Sequence, residues 1–157
     1  MQMDMYLETQ FSVFLINKPG ILANTLNELG REKVNIIAMT MMDSVEHGVL
    51  RLTTTRHDDT RRILSRLNVP VNETDVLCVT ISNKAGALAD IASKLSTSHI
   101  NINYAYCTAG ARGGRTTAVL KVADIKKAMK VLQGGETKSK TIAARKPVRP
   151  KPRQRSR

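Results

Sequence analysis

The sequence predicts an α+β fold: two βαββαβ repeats packed on each other, with helices on one face of antiparallel sheets. Three observations predict it. First, the chain matches itself at an offset of 66 residues, without a gap, from Val13/Val79 to Ile36/Ile102. The identical pairs include Asn17/Asn83, Lys18/Lys84, Gly20/Gly86, Leu22/Leu88, Leu29/Leu95 and Asn35/Asn101, which marks an internal duplication. Second, within each copy an alternating apolar pattern gives way to helical spacing and then returns. Third, a unit of about 66 residues is near the lower limit for burying its own core. Two such units in a chain of 157 residues therefore pack together.

The elements follow in order. Phe11, Val13 and Leu15 fall on one face of a strand, with Ser12, Phe14 and Ile16 on the other, and Asn17-Lys18-Pro19-Gly20 bounds it. Pro19 suits a first helical turn, where its missing N–H costs nothing. Gly20 permits a tight bend and leaves room above it. Leu22, Leu26 and Leu29 then recur at helical spacing. A second strand opens at Val34 and runs towards Met42. Asp43 to Gly48 reads as a hairpin turn, and Val49 to Thr55 as the return strand. Asp58 and Asp59 open a second helix at its positive end, which Pro70 stops. Val69 to Val71 makes a short fourth strand that runs almost directly into Thr74 to Ile81, the first strand of the second copy.

That copy repeats the order. Asn83-Lys84-Ala85-Gly86 opens a helix whose stripe is Leu88, Ile91, Ala92 and Leu95. Strands from Ile100 to Thr108 and Thr116 to Val122 flank a glycine-rich hairpin, and a helix covers Ala123 to Leu132. A fourth strand is not evident; Thr141-Ile142-Ala143 is the candidate. Each repeat has the split-βαβ, ferredoxin-like order. The expected divisions are residues 1–72, 73–134 and a disordered basic tail at 135–157.

Charge is placed unevenly. The chain carries a formal +12, but from Gly134 onward nine Lys/Arg stand against the single acid Glu136. The folded part is only mildly basic. Arg145, Lys146, Arg149, Lys151, Arg153, Arg155 and Arg157 form an arm that attracts a nucleic acid or other polyanion. It lacks interleaved aromatic residues, so base stacking is not expected. Cys78 and Cys107 form no CxxC pair and read as buried, inert thiols in a reducing cytoplasm. No secretory leader and no membrane span is expected. His47, His57 and His99 have no metal-ligand spacing, and no base is paired with a nucleophile, so neither cofactor, metal nor catalysis is expected. Tyr104 and Tyr106 share one strand face, suited to core packing or to a place at a ligand or interface.

The two glycine-opened helix starts carry the functional chemistry. Their unpaired N–H groups and the positive end of the helix suit a carboxylate. Asn17 and Asn83 offer an amide oxygen for an ammonium group. The pattern Asn17-Lys18-Pro19-Gly20-Ile21-Leu22 followed by Val34-Asn35-Ile36 resembles the ACT domain, a regulatory module that binds amino acids. The duplication, together with Gly48 to Leu52, Thr74 to Leu77 and Tyr104 to Tyr106, resembles free-standing bacterial proteins built of two ACT domains. The resemblance covers roughly residues 5 to 133. It implies a non-catalytic sensor that binds a small amino acid where paired domains meet. Small repeats with exposed sheet edges pair further, so a homodimer is expected. The implied contacts are Asn17, Pro19, Gly20, Ile21 and Leu22 in the first copy, and Asn83, Gly86, Ala87 and Leu88 in the second. Two departures stand out. Ala85 replaces the proline in the second copy, and Lys33 and His99 stand where the family often has glycine. If that position requires a positive φ, each costs on the order of 1 kcal/mol. The alternative function is a nucleic-acid or polyanion-associated protein that acts through its tail, the repeats serving only for dimerisation.

Overall fold

The computed structural model describes residues 3–42, 47–108 and 114–134. The elements run β1 (Asp4–Ile16), α1 (Ile21–Arg31), β2 (Ile36–Met42), β3 (His47–Thr54), α2 (His57–Arg66), β4 (Val71–Ser82), α3 (Ala87–Thr97), β5 (Ile102–Cys107), β6 (Arg115–Val122) and α4 (Ile125–Gly134). The fold is α+β, with two βαββ(α) units sharing one antiparallel sheet in the order β2-β3-β1-β4-β6-β5.

The two copies meet along β1 and β4, which form a long antiparallel ladder from Asp4↔Thr80 to Val13↔Val71. Thr9 faces Asp75 in that ladder. These two positions differ by the repeat offset, so the pseudo-twofold axis relating the copies passes through this pair. The fourth-strand place beside each copy's first strand is filled by the other long strand. Val71–Thr74 lies beside Val13–Gln10 for the first copy, and Asp4–Glu8 lies beside Thr80–Val76 for the second. The segment Thr141-Ile142-Ala143, expected to supply a strand there, lies outside the described residues, as do the hairpin tips at 43–46 and 109–113 and the tail.

Alternation decides which strand face is buried. Phe11, Val13 and Leu15 are almost fully buried and join Leu29, Leu50, Leu52, Ile63 and Leu64 under α1 and α2. Leu77, Val79 and Ile81, their counterparts, join Ile91, Leu95, Leu120 and Leu132 under α3 and α4. Met3 and Met5 pack against this second core. The first strand therefore begins seven residues before Phe11, because its N-terminal half belongs to the other copy's core.

Three local expectations change. The second strand starts at Ile36, not Val34. The Val34 N–H instead closes the end of α1 by donating to Leu29 O at 3.0 Å. The second helix ends at Arg66, ahead of Pro70, and Asn68 turns the chain with φ of 53°. Of the expected short fourth strand only Val71 is extended in the ladder, as the first residue of the 12-residue β4.

On the face away from the helices the sheet curls. Ala38 of β2 joins Val76, Cys78 and Val119 of the second copy, with Tyr106 packed against them. From β5 the Tyr104 and Tyr106 hydroxyls reach Gln10 of β1, three strands away in the ladder. Gln10 is fully buried. Its Nε2 donates to Tyr104 Oη at 2.8 Å and to Ser12 Oγ at 3.1 Å, and its Oε1 accepts from Tyr106 Oη at 2.9 Å. A buried amide with its donors and acceptor used is tolerated where an unpaired one is not. The Arg51 guanidinium lies 3.9 Å from the Tyr104 ring centre, a cation–π contact that adds to the same seam.

Candidate functional site

Two loops at helix starts form the candidate site. Each follows a core strand that ends at an exposed residue pair: Asn17 and Lys18 in one copy, Asn83 and Lys84 in the other. Their backbone bonding matches position for position. Lys18 N donates to Ile16 O at 2.8 Å and Lys84 N to Ser82 O at 2.9 Å. Ile21 N donates to Lys18 O, and Ala87 N to Lys84 O. The helices then begin with Asn24 N to Gly20 O and Asp90 N to Gly86 O, both at 2.9 Å.

Gly20 and Gly86 cap the helices with φ of 88° and 86°. That left-handed conformation is one an L side chain adopts only with strain. A Cβ built at either glycine meets nothing within 4 Å. The glycines are thus demanded by the backbone, and the space above them is open. No side chain caps either helix. With Ile21 N and Ala87 N turned back to the loop, the next donors of the first turn, at Leu22 and Ala23 and at Leu88 and Ala89, precede the first helical bond and point outward. They stand at the positive end of the helix.

The loops are alike in backbone and unlike in surroundings. Ile21 and Leu22 are partly buried against the first core. Ala87 is buried, whereas Leu88 is 46% exposed. The first turn of α3 carries Asp90, where α1 has no acid. Beside Leu88, between α3 and β5, lies a cavity of about 310 Å³. Its neighbourhood was not legible in the sequence, since its walls come from three elements.

Other candidates find structural places. Lys33 and His99 do have positive φ, 57° and 55°. Cys78 is buried on the curled face, and burial pushes its thiol up to about 12. Cys107, expected to be buried, is exposed because it stands on the outer strand β5; partial desolvation still raises its thiol, so both thiols are held protonated at neutral pH. His57 Nε2 lies against a Glu8 carboxylate oxygen. Among the described residues no group of His, Cys, Asp or Glu is placed to hold a metal ion, and no helix is long and apolar enough to cross a membrane. The ion pairs gather on the first copy. Glu32 binds Arg62 at 2.6 Å and Arg66 at 2.8 Å, Asp59 binds Arg62 at 2.7 Å, and Arg61 binds Glu73 at 2.6 Å.

A ferredoxin-like pair sharing one sheet, with a glycine-opened helix start in each half, defines a class of tandem α+β domain pairs. The sequence matches the ACT domain pair over residues 5–142, and the chain belongs to that family. Among solved structures it is similar to protein BT0572 from Bacteroides thetaiotaomicron, with 29% identity and a TM-score of 0.75 over 82% of this chain and 88% of that one. It shares its fold with the ligand-free regulatory subunit of aspartate kinase from Thermus thermophilus, at 11% identity and a TM-score of 0.64, covering 85% and 95% of the two chains. The corresponding subunit from Thermus flavus has 12% identity and a TM-score of 0.59, covering 85% and 94%. No curated protein matches the sequence significantly.

Proposed function

We propose that this protein is a non-catalytic regulatory sensor of a small amino acid, acting in the cytoplasm as a homodimer. The observation that carries the reading is the pair of matched loops. In each, a left-handed glycine leaves first-turn N–H groups facing open space, at the position where the ACT family makes its ligand contacts. Asn17, Pro19, Gly20, Ile21 and Leu22, or Asn83, Gly86, Ala87 and Leu88, surround the ligand. The N–H groups hold its carboxylate, and an asparagine oxygen holds its ammonium group. Repeats 1–72 and 73–134 act as the two halves of one unit. A ligand that prefers one arrangement of the seam or of the dimer shifts the population towards it, and a partner chain reads that arrangement. Support comes from the family membership and from the fold shared with regulatory subunits.

A panel of the twenty amino acids against the full chain tests this by thermal shift. A ligand at 100 times its dissociation constant adds about 2.7 kcal/mol of stability, a clear displacement for a unit of this size. A flat panel at millimolar concentration would overturn the reading. It would favour the second one, motivated by nine Lys/Arg against one acid from residue 134 onward: binding of a polyanion through the tail, with a steep salt dependence.

A further inference from the structure

We propose that the second repeat is the binding copy, and that it takes an amino acid with an uncharged aliphatic side chain, seated in the cavity between α3 and β5. The proposal rests on the sensor reading above and narrows it to one site and one ligand class.

The cavity of about 310 Å³ is walled by Ile91 and Ala92 of α3, Ala105 and Cys107 of β5, and Ala118 and Leu120 of β6. Leu88, two residues beyond Gly86, lines it as well, which joins it to the loop that offers backbone N–H groups. Apolar cavities of roughly 150 Å³ already accept a molecule the size of benzene. No charged side chain lines the walls. Cys107 contributes a thiol, and the Tyr106 hydroxyl is turned to the other face of the sheet, where it donates to Gln10. A charged or strongly polar ligand side chain would lose its water there and find no partner.

The first repeat is the internal control. The offset of 66 maps Ala92, Ala105 and Cys107 onto Leu26, Met39 and Met41. The ladders Val13↔Leu50 and Val79↔Ala118 map Ala118 onto Leu50. At each of these four positions the first copy has the larger side chain. Met39 packs into the first core, and the Met41 methyl lies over Gly48. Leu22 packs against the same core, while its counterpart Leu88 stays 46% exposed beside the open volume. Side-chain volume is thus smaller at four of the nine lining positions, while Ile91 and Tyr106 exceed their counterparts Thr25 and Thr40. Asp90, in the first turn of α3, adds a negative charge near the N–H donors. That combination favours a zwitterion over a simple carboxylic acid.

The test is calorimetric titration of the full chain with leucine, isoleucine, valine and methionine, set against aspartate, lysine and threonine. The aliphatic set binds, at one ligand per chain. Ala105→Met with Cys107→Met, which installs the first copy's residues, weakens binding by about 30-fold or more, since even one methylene in an apolar pocket is worth tenfold or more. Ala92→Leu, from a different wall, gives the same loss if the double variant does not fold. Leu26→Ala, at the first copy's counterpart of Ala92, leaves the affinity unchanged. Binding of a charged or polar amino acid that survives both cavity-filling variants would overturn the inference and leave the sensor reading standing. Binding lost in Leu26→Ala but kept in Ala105→Met/Cys107→Met would overturn the assignment to the second copy. Silence from all seven amino acids would overturn the inference; the full panel of twenty then decides whether the sensor reading falls with it.

Discussion

The two repeats have one backbone and two interiors. Their loops bond identically, their glycines share one φ, and even the strained turns at Lys33 and His99 coincide. What differs is the filling. At the equivalent positions the first copy carries the larger Leu26, Met39, Met41 and Leu50, and it has the dense ion-pair network of α1 and α2. The second has alanines and a cysteine in the equivalent places and leaves a cavity open to the helix start. The curled seam is divided in the same way. Gln10, Ser12 and Arg51 of the first copy have Val76, Cys78 and Val119 as counterparts in the second. Duplication supplies two equivalent frames; side-chain volume then sets them apart.

The largest expected effect comes from asking whether the copies are one cooperative unit. Leu29 and Leu95 are equivalent and fully buried. Leu29→Ala and Leu95→Ala each cost about 3 kcal/mol. Because β1 and β4 are shared, urea unfolding followed by two probes should show a single transition displaced in both variants. Two separable transitions would mean that each half folds alone.

Next in size is the contrast in filling. Met39→Ala opens in the first copy what the second already has, and it should cost about 2 kcal/mol. Ala105→Met closes the second copy's space and should add up to about 1 kcal/mol, as cavity filling commonly does. Equal and opposite changes of this kind, read by thermal unfolding without ligand, support the packing contrast. A loss in both would show that the cavity walls are as tightly set as the first core.

Backbone strain should be the same in both copies. Gly20→Ala and Gly86→Ala should each cost about 1 kcal/mol, from φ alone, since no neighbour is met. Conversely, Lys33→Gly and His99→Gly should each gain no more than about 1 kcal/mol, by removing the Cβ from a left-handed turn. Chemical denaturation of the four variants checks whether the loop geometry is as symmetric as it looks.

The smallest effect separates the copies by pH. Hydrogen bonds from Arg62 and Arg66 hold Glu32 below the usual carboxylate range. Arg62 does the same for Asp59, and Arg61 for Glu73. Carboxyl groups lowered by folding stabilise above their ordinary values of 4.5 and 3.8, and that stability is lost as pH falls through the folded values. The melting temperature should therefore drop below about pH 4.5. These groups are exposed, so the drop should be shallow and weaker in high salt. Glu32→Gln should blunt it further. An acid response that is indifferent to both salt and Glu32→Gln would place its origin elsewhere.

The two helix-start loops were legible in advance. The Asn-x-x-Gly loops were readable because a strand pattern, a glycine and a helical stripe occur in sequence, and each is a local signal. The family resemblance, with glycine common at Lys33 and His99, raised a positive φ there as a condition, and the structure has it. The N-terminal half of β1 was not readable, although Met3, Met5 and Leu7 alternate with Asp4, Tyr6 and Glu8. Its pairing partner lies some 70 residues away, and nothing in the segment names it. Tyr104 and Tyr106 were placed on one face correctly, but their partner Gln10 is more than 90 residues distant.

The amino-acid sequence by itself determined the repeat, the order of strands and helices, the apolar faces and the glycine-opened helix starts. Each of these is written in short-range periodicity and in backbone conformations that only certain residues adopt. Tertiary structure alone decided that the two long strands complete each other's sheets, that the sheet curls until β5 reaches Gln10, and that a cavity opens between α3 and β5. Those are properties of distances between residues far apart in the chain. A cavity in particular is a difference between the volume that three elements enclose and the volume their side chains occupy, and no stretch of sequence carries that difference alone.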